Sequence, residues 1–149
     1  MEIMVALSLP RDAASVPVSR QVLDACLETL GITPETRGDI ALALSEACAN
    51  VILHAGPGDD YAVTASTRAG RCVIEVVDNG HRSGNDGLVP QPRGPVGALA
   101  ENGRGLQIID AVVDDLTLSG DGRNGVTVHF EKELDWLPGA VAEHLLAAD

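Results

Sequence analysis

The chain has 149 residues, 45% of them apolar and only 2% aromatic, and carries a formal charge of −12 from 22 acidic against ten basic residues. That length suits one domain with a core of Val, Leu, Ile and Ala. The acidity and the lack of aromatic rings argue against nucleic-acid binding through a basic footprint or a stacking platform, yet leave room for a small anion held by backbone amides or a metal ion.

In chain order, residues 2–9 alternate loosely and read as a strand. From Ala14 to Leu30 the pattern predicts a helix with Val18, Val22, Cys26 and Leu30 on its apolar face, stopped by Gly31. Thr33, Pro34 and Glu35 form a helix start, with Thr as N-cap, Pro in the first turn and an acid beside the positive helix end. This second helix is expected to reach His54, before the Gly56-Pro57-Gly58 break. Tyr61–Arg68 and Cys72–Asp78 read as strands joined in a hairpin by Ala69-Gly70-Arg71. Residues 79–104, rich in glycine and proline, lack a periodic apolar pattern and are too long for a plain connection. Leu106–Val113 follows as a short helix, then strands at Asp115–Ser119 and Gly125–Glu133. The tail from Asp135 could form a short amphipathic helix with Val141, Leu145 and Leu146. Helices grouped in sequence, not alternating with strands, predict an α+β fold: a two-layer sandwich of one mixed, mainly antiparallel sheet with helices on one face.

Cys26, Cys48 and Cys72 are widely spaced in apolar surroundings and read as free thiols in a reducing compartment. No apolar run reaches the length of a membrane span, and Met1-Glu2-Ile3-Met4 is not a signal-peptide start. A soluble, cytoplasmic protein is the expectation.

The most informative stretch is Ala43–His54 (ALSEACANVILH) on the second helix. Ile40, Leu44, Ala47 and Val51 form the core stripe. Asp39, Ala43, Glu46, Asn50 and His54 share a band beside it. Two readings fit: a solvated helix edge, or a groove in which Glu46 serves as a base and Asn50 offers an oxygen to a metal. Asp78-Asn79-Gly80 ends a strand; this is ordinary turn chemistry or a carboxylate placed to accept from an exocyclic amine. Asn102-Gly103-Arg104-Gly105-Leu106 opens a helix, either as a hinge or as backbone amides facing a phosphate. P-loop and Rossmann fingerprints are missing.

Taken together, Glu46-x3-Asn50-x3-His54, Asp78-Asn79-Gly80, Gly103-Arg104-Gly105-Leu106 and Gly125-Val126-Thr127-Val128 resemble the GHKL (histidine-kinase-like) ATPase superfamily. The Ser-Glu-Ala-x-x-Asn-x-x-x-His form of the helix looks most like the bacterial anti-sigma factor serine/threonine kinases. The resemblance spans residues 1–133, an ATP-binding kinase domain, with 134–149 as a C-terminal tail. It implies Glu46 as general base, Asn50 as Mg²⁺ ligand, and Asp78 with Gly80 at the adenine. It places Gly103, Arg104, Gly105 and Leu106 at the phosphate-facing end of a lid, and makes Thr127 the support of the adenine-binding carboxylate. His54 receives a position but no catalytic task.

ATP and Mg²⁺ are the implied cofactors. The implied partners are a sigma factor and a STAS-domain anti-anti-sigma protein, which would be phosphorylated in a partner-switching system of transcription control, with a homodimer as the assembly and neither nucleic acid nor membrane as partner. One departure from the family pattern stands in the first glycine box, where Arg82 replaces the second glycine and Gly84 follows two residues later. The alternatives are a nucleotide-binding regulatory module that sequesters partners without phosphate transfer, and a scaffold that binds no ATP.

Overall fold

Alternating side-chain size and polarity set the strands, and the computed structural model describes residues 2–54, 60–78, 90–91, 103–120 and 126–147. Their order is β1 (Ile3–Pro10), α1 (Ser15–Leu30), α2 (Pro34–His54), β2 (Asp60–Arg68), β3 (Arg71–Asp78), β4 (Pro90–Gln91), α3 (Gly103–Val112), β5 (Asp115–Ser119), β6 (Thr127–Glu133) and α4 (Val141–Ala147). The strands make one sheet in the order β1-β2-β3-β6-β5-β4. Every ladder among the described residues is antiparallel, in keeping with the mainly antiparallel sheet expected. The two-residue β4 pairs with β5 and has no apolar pattern that could have announced it.

The β2–β3 hairpin closes through Ala69 and Gly70, both at positive φ (53° and 80°), a turn whose backbone twist matches that of the flanking strands. Along β2 and β3 every second residue is buried, from Tyr61, Val63 and Ala65 to Cys72, Ile74 and Val76, so the helices cover one face. Phe130, Val128, Leu116 and Leu118 continue that core from β6 and β5.

On α2 the expected stripe is buried: Ile40, Leu44, Ala47 and Val51 are each 1% exposed or less. Leu42 and Leu53 face solvent instead, while Ala43, Cys48 and Asn50 beside the stripe are buried as well. On α1 the expected face is wrong. The buried residues are Ser15, Ser19, Leu23 and Leu27, while Val18 and Val22 are exposed. Two serines can occupy the inner face because each hydroxyl is satisfied. Ser15 Oγ lies 2.7 Å from the Asp12 carbonyl and 2.6 Å from Tyr61 Oη, and Ser19 Oγ lies 2.9 Å from the Val16 carbonyl. α3 begins at Gly103, inside the Gly103-Arg104-Gly105 segment expected to open it, and ends at Val112, one residue before the expected Val113.

Two anchors orient α2 along the sheet. At its start, Thr33 Oγ1 accepts from the Thr36 amide (3.3 Å), and the Thr36 hydroxyl donates to Asp135 (3.3 Å) in the segment after β6. At its end, Arg11, just beyond β1, donates to the Ile52 carbonyl at 3.4 Å. Between the helices, Gly31 takes φ +95° as the C-cap of α1, and its amide and that of Ile32 return to the Glu28 and Leu27 carbonyls. α4 spans Val141–Ala147, as the tail was expected to form a short helix, and Val141 and Leu145 are exposed there.

Candidate functional site

Because Arg11 ties the last turn of α2 to the end of β1, that turn lies at the sheet end where Leu9 pairs with Tyr61 and Tyr61 with Asp78. Asp78 is the last residue of β3, 3% exposed, on the helix-covered face, and its amide extends the ladder to the Val126 carbonyl at 3.3 Å. Tyr61 is fully buried directly opposite it; such cross-strand pairs hold their Cβ atoms about 4.5–5.5 Å apart. The Tyr61 hydroxyl also meets Cys48, which contacts Ser19 at 3.6 Å. This polar chain of Ser15, Tyr61, Cys48 and Ser19 therefore joins α1, β2 and α2 immediately beside Asp78.

Burial pushes the Tyr61 hydroxyl up to about 12, although the Ser15 hydrogen bond works in the opposite direction. Burial likewise raises the Cys48 thiol, against the hydrogen bonds of Ser19 and Tyr61. Both groups remain neutral and serve as fixed dipoles.

On α2, Asn50 is 1% exposed and Glu46 is half-buried one turn earlier. The band in which they lie meets the start of α3. A Cβ added at Gly105 would sit 2.9 Å from Glu46 Oε1 and 3.7 Å from Asn50 Nδ2. A side chain there would push the Glu46 carboxylate out of its present place. The structure thus brings Glu46, Asn50 and Gly105 together from two helices, a conjunction that neither segment displays alone. The first-turn amides of α3, in Gly103, Arg104 and Gly105, have no intrahelical acceptor and carry the positive end of the helix dipole. Arg104 is exposed, and Leu106 packs partly against the core.

Thr127 is separated from this group. It pairs with Val77 and Ser119, and the buried residue opposite Asp78 is Val126. Neighbouring residues on a strand face opposite sides, so Thr127 stands on the open face while Asp78 and Val126 stand on the helix side. The expectation that Thr127 supports the adenine-binding carboxylate fails on this parity. Tyr61, which the sequence reading missed, is the residue placed beside Asp78; its position across the hairpin could have been found by counting the β2–β3 register outward from the Ala69-Gly70 turn. Gly80 and the first glycine box with Arg82 and Gly84 lie outside the described residues, as does the side chain of His54.

Among the described residues no group of three His, Cys, Asp or Glu side chains could hold a metal ion. No helix among them is long and apolar enough to cross a membrane. The three cysteines are free; burial raises the Cys72 thiol to about 12.

Comparison with known proteins gives this geometry a context. The family model described as a histidine kinase-like ATPase domain matches residues 9–130. The chain is 29% identical over 135 residues to the serine-protein kinase RsbW of Bacillus thuringiensis (strain Al Hakam), across 86% of this chain and 83% of the relative. The RsbW of Bacillus cereus (strain AH820) is similar to the same degree, and that of Bacillus mycoides (strain KBAB4) is 29% identical over 136 residues at the same coverage.

Proposed function

The chain belongs to the histidine kinase-like ATPase family, and on that premise we propose that it is an ATP-dependent protein serine/threonine kinase of the anti-sigma type. The observation that carries the reading is the approach of Gly105 to Glu46 and Asn50, which sets a carboxylate, a buried amide and a helix N-terminus around one point. In the proposed reaction Glu46 accepts the proton of an attacking serine hydroxyl. The hydroxyl oxygen forms a bond to the γ-phosphorus, the bond from that phosphorus to the bridging oxygen breaks, and ADP leaves. The first-turn amides of α3 at Gly103, Arg104 and Gly105 face the phosphates, and Leu106 anchors that turn to the core. Asp78, buried at the end of β3 beside Tyr61, accepts from the adenine amino group, with Gly80 allowing the base to lie close.

The residues present fit a magnesium ion of the kind that keeps most of its ligands as water and phosphate oxygen. Asn50, whose side-chain amide lies with Glu46 against Gly105, would supply one amide oxygen, and no competing carboxylate cage exists among the described residues. Such an ion would neutralise phosphate charge, and Asn50 is the residue that would hold it.

The partners in this reading are a STAS-domain anti-anti-sigma protein as phosphate acceptor and a sigma factor as the protein sequestered. The active form is a cytoplasmic homodimer. Residues 1–133 form the kinase unit in this reading, and the tail braces α2 through Asp135.

Incubation with Mg-ATP and a candidate STAS protein tests the proposal. Phosphoserine should appear on the partner and vanish with Glu46→Ala. Tight nucleotide binding with no transfer to any of several such partners would instead favour a sequestering regulatory module, the reading that Arg82 in the first glycine box keeps in play. Absence of binding at millimolar nucleotide would overturn both.

A further inference from the structure

Lys132 is the only lysine in the chain, and it is spent at an inner position, 18% exposed, where β6 passes beneath the helices. Its Nζ donates to the Val112 carbonyl at 2.7 Å and pairs with Asp39 Oδ2 at 3.2 Å. Val112 is the last residue of α3, so its carbonyl has no intrahelical donor, and a cation at that end also complements the helix dipole. Asp39 belongs to the same polar band of α2 as Glu46.

The spacing along the two helices gives this tie its meaning. Asp39 and Glu46 are seven residues apart on α2, as are Gly105 and Val112 on α3. At the rise of an α-helix both intervals span about 10.5 Å. α3 therefore runs antiparallel to this part of α2 with a contact at each end: Gly105 against Glu46 and Asn50, and Val112 linked through Lys132 to Asp39. A rigid helix held at one end only can pivot about that end, so its other end swings. With both ends fixed, the position of its first turn relative to Glu46 is set.

We infer that Lys132 is a positioning residue, which holds the phosphate-facing end of α3 in register with Glu46 and Asn50 by clamping the far end of that helix to α2. Its placement rests on geometry alone; its consequence for phosphates rests on the function proposed above.

The test compares the full chain with Lys132→Met, Lys132→Arg and Asp39→Asn by amide hydrogen exchange and by calorimetric titration with Mg-ATP and with AMP, which keeps the adenine and lacks the β- and γ-phosphates. In Lys132→Met, amides 103–112 should exchange faster while those of β3 and β6 hold their protection. Mg-ATP affinity should drop about tenfold with AMP affinity unchanged, the scale of a helix-end charge interaction in a partly buried setting. Lys132→Arg, which keeps the cation, should restore both readouts. Unchanged exchange in α3, or Mg-ATP and AMP weakening in step, overturns the inference. Should Lys132→Met not fold, Asp39→Asn keeps the bond to Val112 and removes the ion pair; wild-type exchange and affinity in that variant would overturn it equally. Failure of the wild type to bind Mg-ATP would sink the functional reading and leave hydrogen exchange to decide the role of Lys132.

Discussion

Replacing Gly105 by alanine separates a catalytic contribution from a structural one, because phosphoryl transfer should fall while stability barely changes. Gly105 is inside α3 and has open backbone geometry, so alanine there gains up to about 1 kcal/mol of helix propensity. Against this, the new methyl would stand 2.9 Å from Glu46 Oε1, closer than a Cβ tolerates. The atom it meets is the far end of a flexible, half-buried side chain, so relief comes by rotating Glu46 out of its present rotamer at about 0.5–1.5 kcal/mol. The two terms nearly cancel, and urea denaturation should place Gly105→Ala within about 1 kcal/mol of the wild type. Phosphoryl transfer has no such compensation. A displacement of about 1 Å at a reacting group can lower a rate about 100-fold, and that is the loss expected in single-turnover phosphoserine formation with saturating Mg-ATP. A wild-type transfer rate in a folded Gly105→Ala protein would refute the placement of Glu46 as the base. A loss of stability of several kcal/mol would refute the claim that the carboxylate can move aside.

Asp78→Asn should weaken ATP binding at least tenfold, about 1.4 kcal/mol, with a much smaller effect on unfolding; titration calorimetry beside urea melts checks this, and unfolding without selective loss of affinity would contradict the adenine role. Gly31→Ala should destabilise by about 2 kcal/mol, since alanine at φ +95° is strained and its Cβ would meet that of Ala140 at 2.7 Å, whereas Gly38→Ala, inside α2 with open space around it, should be neutral or stabilising by up to about 1 kcal/mol. On the open sheet face, His129 is hydrogen-bonded to Glu75 and Glu131 at 3.0 Å each, with Arg71 also on Glu131 at 3.0 Å. Burial works to lower the His129 pKa, but the Glu131 and Glu75 hydrogen bonds outweigh it and the net shift is upward from 6.5. A folded pKa above the unfolded one means stabilisation that is complete below about pH 6.5 and lost as pH rises through the folded value. The hydrogen bonds of His129 and Arg71 keep Glu131 ionised through that window. Denaturant melts at about pH 6 and about pH 8 should therefore show a fall that His129→Gln flattens; an equal fall in the variant would contradict the assignment.

Much of this molecule was legible from local pattern. The α2 stripe of Ile40, Leu44, Ala47 and Val51 is a periodic signal, and the Thr33-Pro34-Glu35 start and the Gly31 stop are chemical ones; each depends on residues close in sequence. The same holds for Asp115–Ser119, whose limits the structure reproduces. The face of α1 was misread because burial of Ser15 and Ser19 depends on partners in other segments, above all Tyr61 from β2.

The sequence by itself determined which side chains were available for chemistry: a carboxylate and an amide one turn apart on a mostly apolar helix, an acid at a strand end, and glycines opening a later helix. Only the tertiary structure decided which of them meet. Gly105 reaches Glu46 across 59 positions of chain because α3 lies against α2, and Thr127 turns away from Asp78 because strand parity assigns that face to Val126. Helical and strand periods are short-range properties of a chain, whereas the register between elements is fixed by packing and hydrogen bonding among residues far apart in sequence.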